Sequence, residues 1–156
     1  MNKSSELLFH AIESGLSKVS SVTTLDDGFR VTTHCMYPSN GLVRVSVRGG
    51  AHEVVISDDG EAVGEALSAG VPVRDANNML SSLVKDLGLK VVDGVISTGP
   101  MPTEAVALGV LLVANAARDV ASWLYENSRI KRTRDFPVLG SKRDKRHSGV
   151  RVYFAP

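Results

Sequence analysis

The stretch at residues 42–70, LVRVSVRGGAHEVVISDDGEAVGEALSAG, decides the fold. Leu42, Val43, Val45 and Val47 are interleaved with Arg44, Ser46 and Arg48, the period of a strand with one buried face, which sets the two arginines on the solvent side. Gly49-Gly50 reverses the chain, and His52 to Ser57 follows as a second strand. Asp58-Asp59-Gly60 closes that strand, and the Ala and Glu pattern of Glu61 to Ala69 predicts a helix that Gly70 ends. A strand pair running directly into a helix is the start of an α+β domain.

Toward the N-terminus, Val19 to Leu25 and Phe29 to Cys35 are two Val- and Thr-rich runs around Asp26-Asp27-Gly28, the signal of a hairpin. Before them, Leu7, Leu8, Ala11 and Ile12 make one stripe of an amphipathic helix over Ser4 to Gly15. Toward the C-terminus, Asp75 is placed to cap a helix running to Leu87, with Met79, Leu80, Leu83, Val84 and Leu87 as its buried stripe. Lys90 to Asp93 and Val95 to Thr98 flank Asp93-Gly94 as a small hairpin, and Gly99-Pro100-Met101-Pro102 breaks regular structure. Thr103 then caps the longest helix, Glu104 to Asn127, whose first half is apolar on nearly every side and is expected to run through the middle of the domain. The expected fold is α+β: an antiparallel sheet of four or more strands packed against helices, with a long apolar C-terminal helix and a basic C-terminal arm.

With 156 residues, 43% hydrophobic and 22% charged, the chain can bury one core but hardly two. Cys35 is the single cysteine, so no intrachain disulfide forms. The opening residues do not read as a secretory leader, and the uncharged stretch Ala105 to Ala117 is too short to span a bilayer, so a cytoplasmic protein is expected.

The formal net charge of +1 hides a strong asymmetry. Residues 1–128 hold nine Lys or Arg against fifteen Asp or Glu, a net of −6. Residues 129–156 hold nine against two, a net of +7. This predicts an acidic α+β domain over 1–128 and a basic arm over 129–156, and a basic arm commonly meets a polyanion or an acidic surface.

The run from Arg30 to Gly70 resembles the prokaryotic family called domain of unknown function 1828. The residues that carry the likeness are His52-Glu53-Val54-Val55-Ile56-Ser57-Asp58-Asp59-Gly60, then Ala66-Leu67-Ser68-Ala69-Gly70, and it extends weakly to about residue 128. Where that family has Thr-Pro and Asn-Asp near the second strand, this chain reads Thr32-Thr33 and Ser39-Asn40-Gly41. The resemblance implies the fold and a phage or mobile-element setting, and no activity; the basic arm lies outside it.

Asp58, Asp59 and Glu53 are the best carboxylate set for holding Mg²⁺ in phosphodiester cleavage. Against that, Asp before Gly at a strand-to-helix junction makes Asx turns and caps the helix without metal, and no lysine follows Glu53 at the spacing of metal nucleases. His34 and Cys35 are strand neighbours that point to opposite faces and cannot form a nucleophile–base pair. His10, His34, His52 and His147 lack zinc spacing, and no glycine-rich loop carries a phosphate fingerprint. No cofactor, metal ligand or catalytic residue is therefore assigned.

The candidate binding residues are Arg129, Lys131, Arg132, Arg134, Lys142, Arg143, Lys145, Arg146, Arg151 and Tyr153, with Phe154 beside them and Trp123 and Tyr125 at the root of the arm. Cations there can neutralise phosphates and rings can stack on bases or enter a protein pocket. The bland alternative is a solvated, charge-balancing tail. The expected function is a small non-enzymatic binding protein that engages a nucleic acid or nucleoprotein complex through the arm. The alternatives are an anti-defence inhibitor that contacts a host nucleoprotein complex by protein–protein contact, and a metal-dependent phosphodiester hydrolase using Asp58 and Asp59. No membrane partner is expected, and the long apolar helix is compatible with a homodimer.

Overall fold

Val43, Val45 and Val47 point to one side of their strand and are almost fully buried, while Arg44 on the other side is exposed. This alternation sets the two faces of the whole sheet. The structure, a computed structural model, describes residues 3–73 and 77–135. Its elements run α1 (Lys3–Val19), β1 (Ser21–Leu25), β2 (Gly28–Met36), β3 (Leu42–Gly49), β4 (Glu53–Ser57), α2 (Glu61–Ser68), α3 (Asn77–Val84), β5 (Lys90–Val92), β6 (Val95–Ser97), β7 (Met101–Pro102) and α4 (Val106–Asp135). Two short 3-10 turns, Lys85–Leu87 and Thr103–Ala105, follow α3 and precede α4. The chain divides between Tyr125 and Glu126, and the sheet and core lie in the first unit.

The seven strands form one antiparallel sheet in the order β1-β2-β3-β4-β6-β5, with β7 also paired to β4. The α+β expectation holds, and the small hairpin extends the main sheet: β6 lies beside β4 through Ser57 and Ser97. At the Asp26-Asp27 turn, Leu25 pairs with Gly28, which has φ +153° and lies so close to the Val47 carbonyl that a Cβ would collide with it. That glycine opens β2.

The core joins Val43, Val45, Val54, Ile56 and Ile96 of the sheet to Ala62 and Ala66 of α2, Leu80 and Val84 of α3, and Val113, Ala117, Val120 and Leu124 of α4. Gly109 lets α4 come close to β4: a Cβ there would run into Ile56 Cδ1 and Met101 Sδ.

Several expectations need correction. The first helix continues past Gly15 to Val19, because one glycine in a helix costs only about 1 kcal/mol. Of the five apolar residues expected to be buried in α3 and the turn after it, only Leu80 and Val84 are; Met79, Leu83 and Leu87 are exposed, because a two-turn helix buries a narrow stripe. Asp75, the expected cap, lies outside the described residues. Thr103 does not cap α4; its hydroxyl donates to the Gly50 carbonyl at 2.9 Å, and α4 begins at Val106. Nor does the start of α4 run through the middle of the domain: one face is buried through Gly109 and Val113, while Leu108 and Leu111 are 56% and 57% exposed. The segment Thr103–Ser128 is, by length and composition, long and apolar enough to cross a membrane, so the expectation of a span too short for one is also corrected. The same composition serves a core helix, and α4 contributes much of the buried core.

Candidate functional site

On the sheet face opposite the core, Arg30 pairs across strands with Ser46, and Ser46 with Ser57, so the polar residues of β2, β3 and β4 stand in one row. Arg44 and Arg48 flank Ser46 on the same face, and the turn 58–60 brings Asp59 over them. A small pocket of about 180 Å³ is lined by Arg30, Arg44, Ser46, Asp58, Asp59 and Glu61.

The two adjacent aspartates have opposite surroundings. Asp58 is 2% exposed and accepts hydrogen bonds from the backbone N–H of Gly60 (2.9 Å), Ala62 (3.1 Å) and Ile96 (2.8 Å). It holds the first turn of α2 and the start of β6 together, and burial raises its pKa despite those three donors. Asp59 takes positive φ (+51°), which turns its side chain out toward the arginine face. Its carboxylate accepts from Ser46 Oγ and from Arg48 at 2.7 and 3.2 Å, with Arg30 at 3.8 Å. Partial burial pushes its pKa up, but the Arg48 and Ser46 bonds outweigh that and hold it below the ordinary carboxylate value.

The arginines are likewise engaged. Arg48 also donates to Asp27 at 2.5 Å, and the hydrogen bonds to Asp59 and Asp27 raise its already high pKa. Arg44 forms a fork with Glu61: its Nε donates to Oε1 at 2.9 Å, its Nη2 donates to the same oxygen, and its backbone N–H donates to Oε2 at 3.1 Å. Nearby, Tyr37 is 3% exposed and its hydroxyl finds no hydrogen-bond partner among the described residues; burial, then the carboxylates of Glu61, Asp58 and Glu65, raises its pKa.

The structure brings Asp58 and Asp59 side by side but not Glu53, which begins β4 while the aspartates follow its end, roughly 16 Å away along an extended strand. Among the described residues no group of three or more His, Cys, Asp or Glu is arranged to hold a metal ion. Cys35 is half-buried and its thiol donates to Asn115 Oδ1 of α4 at 3.5 Å, while His34 is exposed on the other face, as expected of strand neighbours. The Arg30–Arg44–Arg48 row is the feature that reading single strands leaves incomplete. Its signal is present in Phe29-Arg30-Val31, which has the same alternation as β3.

Of the expected binding residues, Arg129, Lys131, Arg132 and Arg134 fall within the helical span of α4, and their side chains lie outside the described residues. Lys142, Arg143, Lys145, Arg146, Arg151 and Tyr153 lie wholly outside them. No family model, curated protein or solved structure matches the chain.

Proposed function

We propose that this chain is a small binding protein that engages a nucleic acid, alone or within a nucleoprotein complex, through the cations of residues 129–151. The observation that carries the reading is charge segregation: a net of +7 in the last 28 residues beside −6 in the 128 before them. A polyanion gives such a segment its largest electrostatic gain, through release of condensed counterions. The sheet-face cluster supports a binding role over a hydrolytic one, since Asp58 is saturated by backbone donors and Asp59 by Arg48 and Ser46. A phage or mobile-element setting is part of the proposal and rests on the resemblance of Arg30 to Gly70 alone.

Anisotropy titration of labelled DNA and RNA across a salt series tests the proposal. The full chain is expected to bind with little sequence preference, log K falling linearly with log salt. Replacing Lys142, Arg143, Lys145 and Arg146 by Gln should flatten the slope by roughly 0.9 for each duplex phosphate that is no longer neutralised. Absence of binding to either nucleic acid at low salt would overturn it. Capture of a host protein complex by the wild-type chain, but not by the Gln variant, would then favour an anti-defence inhibitor.

A further inference from the structure

We propose that the chain forms a two-fold symmetric dimer in which α1 of each copy lies in an apolar groove of the other. The groove has a volume of about 500 Å³ and no polar side chain in its lining. Its floor is the core face of the sheet beyond the cover of α4: Val22 pairs with Val31 and Phe29 with Val47, all on one side. Its wall is Val110 and Leu111 of α4. Val22, Phe29 and Leu111 are 65%, 50% and 57% exposed, so the core face is left open at the β1 edge.

The same chain carries a segment that fits. In α1, Leu7, Leu8, Phe9 and Ile12 are each more than half exposed, and every described side chain from Lys3 to Ser14 is exposed. A 17-residue helix with its apolar stripe in water is marginal by itself, so the stripe needs a surface to cover it.

Its own groove is out of reach. α1 ends at Val19 and β1 begins at Ser21, leaving Ser20 alone as the connection. Helices that fold back onto the strand they precede are joined by roughly two to six residues, more than the single residue here. A hinge too short for intramolecular docking favours exchange of the same element between copies. Two reciprocal sites would each bury the α1 stripe and the open groove side chains Val22, Phe29 and Leu111. This contact is independent of the basic segment.

Light scattering of the full chain gives the first test, with a mass of twice 16.6 kDa expected for the wild type. Ile12→Glu on the helix and Leu111→Glu on the groove should each halve the mass with the circular dichroism of the sheet retained. Mixing the two variants should restore a dimer, because one wild-type helix and one wild-type groove remain in the mixed pair. Inserting Gly-Ser-Gly-Ser after Ser20 alters neither surface and should also halve the mass, by letting α1 reach its own groove. A monomeric wild type overturns the proposal and leaves the groove to an apolar segment of a different protein. A dimer that survives both the Ile12→Glu and Leu111→Glu changes, or the hinge insertion, overturns it as well.

Discussion

Two consecutive aspartates do different physical work here, and substitution separates them. Asp58→Ala removes the acceptor for three backbone N–H groups and leaves buried donors unsatisfied, so it should cost on the order of 3 kcal/mol in urea unfolding. Asp59→Ala removes an ion pair whose members are each about one-third exposed and should cost about 1 kcal/mol or less. Sequence alone puts the capping role on Asp59, the residue directly before the glycine. The structure gives that role to Asp58 instead, because positive φ at Asp59 turns its carboxylate to the arginines and β6, through Ile96, supplies one of the Asp58 donors. The pH response follows from the lowered folded-state pKa of Asp59. Its contribution is complete above the unfolded value of 3.8 and is lost as pH falls through the folded one, since the unfolded chain takes up the proton first. Asp59→Asn should therefore flatten the loss of stability below about pH 4 in acid titrations followed by circular dichroism.

Among the elements, the strands were the most legible and α4 the least. Val43, Val45 and Val47 announce β3 because a period of two has one structural solution, and Asp93-Gly94, with φ of +51° and +79°, announces the β5–β6 turn because few residues accept that backbone. The apolar start of α4 was ambiguous, since the same composition suits a central helix and one with an open apolar side. Gly109 resolves it, fixing which face meets β4 and so which face, with Leu108 and Leu111, stays open. Gly109→Ala should push α4 off Ile56 and Met101 and cost roughly 1–3 kcal/mol, read as a lower midpoint in chemical denaturation with the helical signal unchanged. The polar row of Arg30, Arg44 and Arg48 was only partly visible because a single strand shows its own alternation but not the register that aligns Arg30 with Ser46.

At the scale of the molecule, β1 to β4 pair in sequence order, so most of the sheet forms from local contacts, and the exceptions are β6 and β7, which return after α2 and α3 to lie against β4. Besides its backbone bonds to β4, the return of β6 has a side-chain anchor. The Asp58 carboxylate binds the amides of Gly60, Ala62 and Ile96, and the last lies 38 residues from it along the chain. The turn, the first turn of α2 and the far hairpin therefore cannot open separately without stranding a buried carboxylate. In deuterated solvent the Ala62 and Ile96 amides should exchange at a common rate set by one cooperative opening, and Asp58→Asn should split them into two, making the carboxylate the boundary marker of a single unfolding unit.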